Sequence, residues 1–233
     1  TSLEMGKGEL ASMLKMPLRE GGEIRKRQGA VRELSEKEDF CLDFRTIGML
    51  SEGQQLESRP ANWPGREQQL FRRPSLWRAI THIVPLLYLL TIALVLAGAT
   101  GGQAITLLYF ITLSISVIPT KSVKRIGLLF DKRAKQLESY AGLLKLVEST
   151  SFDSELLQTL QQSLQNDKKM ASTSIRQLAR YCRNLDLAFA VPIFLILNPL
   201  LLWNVLYALK IEQWMQRNAT EIGKWFSTLA QFD

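Results

Sequence analysis

Apolar side chains are unevenly spread along this chain, and the unevenness predicts its organisation. The stretches 79–119 and 185–209 are almost free of charge, while residues 1–75 are highly polar. Near the start, Leu10, Met13, Leu14 and Leu18 recur at helical spacing, which predicts a short amphipathic helix over residues 9–18 that ends around Pro17. Ile24, Gln28, Val31 and Leu34, then Phe40, Phe44 and Ile47, predict two more helices within residues 22–48, broken near Ser35. Their apolar stripes are narrow, so they should lie on a surface. Over residues 50–73 all periodicity is lost and Pro60, Pro64 and Gly65 mark a linker.

Two uncharged arms follow, residues 79–99 and 104–119, joined by a turn that holds Gly98, Gly101 and Gly102. Beyond them Leu137, Tyr140, Leu144 and Val147 lie on one face of a long helix, and Leu156, Leu157, Leu160 and Leu164 repeat the pattern. After a polar break at residues 167–169, Ala171, Ile175, Leu178, Ala179, Cys182 and Leu185 predict an amphipathic helix starting near Ser172, a suitable N-cap neighbourhood. The run 185–209 contains Asp186, Asn198, Asn204, Pro192 and Pro199, and residues 214–230 read as a terminal amphipathic helix with Ile222, Trp225, Phe226 and Leu229 inward. No alternating strand pattern occurs, so the expected class is all-α. In chain order the sequence divides into a helical stretch 1–50, a polar linker 51–75, an apolar hairpin 76–120 and a long-helix region 121–233.

At about 1.5 Å per residue the first arm reaches roughly 30 Å, the thickness of a bilayer's hydrocarbon core. The second arm is slightly short, which a tilt or an extension through Gly102 makes up. Arg66, Arg72, Arg73 and Arg78 precede the first arm, and Lys121, Lys124, Arg125, Lys132, Arg133 and Lys135 follow the second, while the turn carries no charge. The positive-inside rule then places both ends on the cytoplasmic side of an inner membrane, anchored by residues 79–119, with Trp77 and His82 near that interface. The alternative is that the arms form the buried core of a helical bundle, which periodicity alone does not oppose. For residues 185–209 a broken third membrane helix and a buried core helix fit equally.

The chain has 233 residues, 46% of them hydrophobic, and 29 Lys and Arg against 22 Asp and Glu, a formal charge of +7. That balance favours an anionic partner, lipid or nucleic acid. Arg72, Arg73, Arg78, Lys121, Lys124, Arg125, Lys132 and Arg133 are the expected contacts to phosphate or lipid headgroups; bordering an apolar hairpin, and without interleaved aromatics for base stacking, they fit lipid better. Two cysteines, Cys41 and Cys182, and one histidine support neither a disulfide framework nor a zinc site. There is no phosphate-binding loop and no relay for nucleophilic catalysis, so no catalytic, cofactor or metal residue is expected. Glu33, Glu36, Glu38 and Asp39 read as a solvated helix end. Because the sequence starts at Thr1 rather than Met, it is expected to be an excised fragment.

The opening residues, Gly6, Leu10, Leu14, Pro17-Leu18, Ile24 and above all the run Arg27-Gln28-Gly29-Ala30-Val31-Arg32-Glu33-Leu34, resemble the start of the core domain of MutS-type mismatch repair ATPases. Later residues are similar to a membrane-associated MutS-like subgroup: Tyr140, Leu143-Leu144, Glu148, Phe152, Leu156, Ala171-Ser172, Ile175, Asn198, Leu202-Trp203, Glu212, Trp214, Trp225 and Phe232. The resemblance implies a non-catalytic helical core and lever that couples a C-terminal ABC-type ATPase, with its ATP and Mg, to conformational change, in a homodimeric parent. It implies an ATPase soon after Asp233 and duplex DNA as a second candidate partner. The departures are an apolar hairpin in place of long soluble lever helices and a DNA clamp, and the lack of a mismatch-reading domain, so direct mismatch recognition is not expected.

Overall fold

The computed structural model describes residues 3–16, 20–52, 71, 73–130, 134–166 and 169–233, and it is all-helical. The helices are α1 (Glu4–Lys15), α2 (Gly21–Glu36), α3 (Glu38–Glu52), α4 (Pro74–Leu96), α5 (Gln103–Val117), α6 (Thr120–Phe130), α7 (Ala134–Ser149), α8 (Glu155–Ser163), α9 (Ala171–Leu187), α10 (Val191–Leu201), α11 (Trp203–Asn218) and α12 (Glu221–Phe232). A two-residue antiparallel ladder, β1 (Gln165–Asn166) with β2 (Lys169–Met170), ties the turn between α8 and α9. Most of the 51–75 linker, with Arg66 and Arg72, lies outside the described residues, as do Pro17, Lys132 and Arg133.

The chain folds into two compact units that do not follow chain order. One, the terminal unit, draws on Thr1–Gly65, Lys135–Ala179 and Asn218–Asp233; the other, the hairpin unit, draws on Arg66–Ala134 and Arg180–Arg217. The sequence's single region 121–233 is therefore shared between them.

The terminal unit closes around aromatic and aliphatic side chains from both ends of the chain. Phe40 meets Phe152 edge-on at 5.5 Å between ring centres and Phe232 at 6.3 Å, and Tyr140 meets Phe226 edge-on at 5.2 Å. Leu137, Leu143, Leu144, Val147, Ile175, Leu178 and Trp225 are buried with them, as the helical periodicity of α7, α9 and α12 requires. Where the sequence reads one continuing pattern through residues 137–164, the chain breaks at 150–154. Ser154 caps α8 by accepting from the Leu157 amide at 3.4 Å, and the Gln161 side chain donates to the Val147 and Thr150 carbonyls at 2.8 and 2.7 Å, satisfying the end of α7.

Two carboxylates complete these joints. Glu33 accepts from the amides of Asp153 and Ser154 at 2.8 and 2.7 Å, just ahead of α8, and Glu148 accepts from the amide and hydroxyl of Ser172 at the start of α9. Anionic groups at helix N-termini are favoured by the orphan amides and the helix dipole. Glu33 thus serves as a clamp rather than the solvated helix end read from sequence. The chain ends also meet: the Leu3 amide donates to Asp233 Oδ2 at 2.8 Å, and α1 approaches so closely at Gly6 that a β-carbon there would lie 2.0 Å from the same oxygen.

Helix boundaries differ from the sequence reading where polar residues join a helix by register. The helix expected over 9–18 starts at Glu4, because Leu3 and Gly6 are buried in the terminal unit. The terminal helix begins at Glu221; residues 214–218 finish α11 instead. The 185–209 run is interrupted twice, at 188–190 and at Leu202, whose φ of 48° places it in the left-handed region.

Candidate functional site

The hairpin unit exposes many large apolar side chains of α4 and α5. α4 has 23 residues and α5 has 15, and the turn between them has Gly98 at φ 72°, a conformation open to glycine at no steric cost. α4 is long and apolar enough to cross a membrane, and only 17% of its most apolar window is buried. Leu86, Leu89 and Leu90 are 63%, 65% and 56% exposed, and Leu107 and Phe110 of α5 are 64% and 59% exposed. The bundle-core alternative requires these side chains to be covered; within the described chain they are not.

Polar contacts join the helices of the hairpin unit. Tyr88 of α4 and Thr112 of α5 share a buried 2.9 Å hydrogen bond. Pro199 within α10 has no amide to donate to the carbonyl of Leu195, and the Tyr109 hydroxyl of α5 donates to that carbonyl at 3.0 Å. The Asn204 side chain donates to the Ser116 carbonyl at 3.4 Å, and its backbone amide donates to Asn198 Oδ1 at 3.0 Å. Asn204 Oδ1 accepts from the Val205 amide at 2.8 Å, so the two asparagines satisfy the start of α11 across the Leu202 break. Burying polar groups is tolerable in an apolar setting only when they find partners of this kind. Among the described residues of the hairpin unit, Asn198 Nδ2 remains without one.

In the same unit α11 brings a different set of contacts. The Lys210 ammonium sits 4.7 Å from the Tyr207 ring centre and 5.7 Å from that of Tyr181, and Trp203 donates to the Asn184 carbonyl at 2.9 Å, at the end of α9. Glu212 is buried and accepts from the Phe71 amide at 3.1 Å.

Of the expected headgroup contacts, Arg73, Arg78, Lys121, Lys124 and Arg125 are described, and all are exposed. Arg73 and Arg78 flank the start of α4 while the other three lie on α6, so the hairpin topology gathers them at its open end, opposite the glycine turn. On α6 the basic residues oppose a buried face of Val123, Ile126 and Phe130. His82 is exposed, its Nδ1 2.7 Å from the Arg78 carbonyl, and no group of His, Cys, Asp and Glu able to hold a metal occurs among the described residues.

The sequence reading missed the tyrosine and asparagine joints. One signal was available: a proline inside a helix frees the carbonyl four residues earlier, which obliges some donor to reach Leu195. Comparison with protein-family models, with curated proteins and with solved structures finds no match to this chain.

Proposed function

We propose that this chain is the membrane-anchored core and lever of a MutS-like ABC-type ATPase, non-catalytic in itself. The observation that carries the anchor is the uncovered apolar surface of α4 and α5, bounded at one end by Arg73, Arg78, Lys121, Lys124 and Arg125 and at the other by a neutral turn. Lipid solvates that surface better than water, and the cationic end belongs on the cytoplasmic side of the inner membrane, against anionic headgroups. The family assignment rests on residues 27–34 and the later matching positions.

In this reading the terminal unit is the part that moves. Besides their packed core, its helices share carboxylate and amide clamps, Glu33 to the start of α8, Glu148 to the start of α9 and Leu3 to Asp233. A nucleotide-driven domain joined after Asp233 would act first on α12 and through it on α1. Such discrete joints are what a two-state lever needs. Duplex DNA is the competing ligand, since the same exposed basic residues could contact phosphates.

Fractionation of the expressed chain tests the anchor: it should sediment with membranes and require detergent for release, and a monodisperse protein recovered without detergent would refute it. The detergent-solubilised chain should bind anionic vesicles in preference to duplex DNA; salt-sensitive duplex binding without lipid preference would favour the DNA reading.

A further inference from the structure

Three segments pass the length and composition test for membrane spans: α4 itself, the pair α5 and α6 bent by 58°, and the pair α9 and α10 bent by 107°. The contacts of the terminal unit decide among them. The Leu3 amide on Asp233, Glu33 on the amides of Asp153 and Ser154, and the Phe40, Phe152 and Phe232 rings bring α1–α3, the α7–α8 region and α12 into one packed body. Such a body lies on one side of a bilayer. The chain leaving α3 must therefore cross an even number of times before α7, and the chain leaving α9 an even number before α12.

In the first interval α4 crosses, so α5 must return. The second interval holds only one apolar segment, α10, because α11 carries Lys210, Glu212 and Arg217. One segment cannot cross an even number of times except by not crossing. Yet α10 is not covered: Val191 is 70% and Ile196 60% exposed, although the helix lies against α4 and α5.

We propose that α10 is a re-entrant half-helix, embedded only in the leaflet at the cationic end of the hairpin, and that the chain crosses the membrane twice. This rests on the membrane reading of the hairpin. Its depth follows from three contacts within the hairpin unit. Phe189 packs on Gly127 of α6, where a β-carbon would lie 3.3 Å from the ring; Leu195 receives Tyr109; Asn204 reaches Ser116. Ser116 lies one residue from the cationic end of α5 and Tyr109 at the middle of this fifteen-residue helix. These contacts run from the cationic end of the hairpin to about its middle, the depth of one leaflet. The eleven residues of α10, about 16 Å long, are themselves half a span. Irregular backbone such as the Leu202 break is admissible at that depth because Asn198 and Asn204 satisfy it inside the protein.

The test uses the full chain reconstituted in vesicles, with Cys41→Ser to remove the partly exposed thiol and single cysteines placed by Lys121→Cys, Gly101→Cys, Ala190→Cys and Arg217→Cys. A membrane-impermeant maleimide should label positions 121, 190 and 217 from one face and position 101 from the other. Labelling of 190 and 217 from opposite faces would make α10 a third span, and labelling of 101 from the same face as 121 would remove the double crossing; either overturns the proposal. Extraction of the chain from vesicles by alkaline carbonate would instead refute the membrane reading, and this inference with it.

Discussion

The Tyr109 hydroxyl donates to the Leu195 carbonyl, the acceptor that Pro199 leaves open one helical turn later. A side chain on α5 thereby takes the place of a backbone amide in α10. Tyr109→Phe should lower thermal stability in detergent by about 1 kcal/mol and raise amide exchange over residues 191–201. Pro199→Ala restores the missing amide, so in its presence Tyr109→Phe should cost measurably less. Equal costs in both backgrounds, measured as a double-mutant cycle, would deny the link.

Leu86 lies near the middle of α4 and is 63% exposed. Leu86→Arg should impair insertion by about 2.5–3.5 kcal/mol if lipid surrounds that position, whereas a water-exposed site would change by no more than about 0.5 kcal/mol. Leu42→Arg, at the 62% exposed Leu42 of the terminal unit, is the matched control and should be nearly silent. The fraction of chain retained in the membrane after carbonate washing reads both.

Glu148 holds the start of α9 through the Ser172 amide at 2.9 Å and the Ser172 hydroxyl. Glu148→Ala should destabilise the terminal unit by about 1–2 kcal/mol, as loss of a helix cap does, with Glu148→Gln intermediate. Denaturant unfolding followed by tryptophan emission, with Trp225 buried in the same unit, measures it.

Burial pushes the Tyr140 phenol up to about 12 from its ordinary value near 10. The unfolded chain then loses this proton before the folded one does. Stability from Tyr140 is therefore fully present below about pH 10 and is lost as pH rises towards 12, by an amount of order 1–3 kcal/mol. Tyr140→Phe should flatten that alkaline decline; an unchanged slope between pH 9 and 11 would contradict the burial effect.

Periodicity made the helical class legible, and it located α7 through Leu137, Tyr140, Leu144 and Val147 and α9 through Ala171, Ile175, Leu178, Ala179, Cys182 and Leu185, all of which are buried. The apolar arms were equally plain, because a run without charge needs no tertiary context to be noticed. Residues 185–209 stayed ambiguous because composition does not distinguish a helix that crosses from one that bends at Leu202; that break depends on Asn198 accepting from the Asn204 amide and on the Asn204 side chain reaching Ser116 on another helix. The roles of Glu33 and Glu148 were hidden for the same reason: each acts on a helix start far along the chain. The terminal unit is assembled from three separated stretches, an arrangement that only tertiary contacts display.

The surface of α4 and α5 gives the most direct test of the whole account. Nitroxides placed by Leu89→Cys and Ile111→Cys in the reconstituted chain, compared with one placed by Lys124→Cys, report oxygen and aqueous-relaxant accessibility. High oxygen access with exclusion of the aqueous relaxant at 89 and 111, and the reverse at 124, is the expected result. Free access of the aqueous relaxant at 89 and 111 would contradict it.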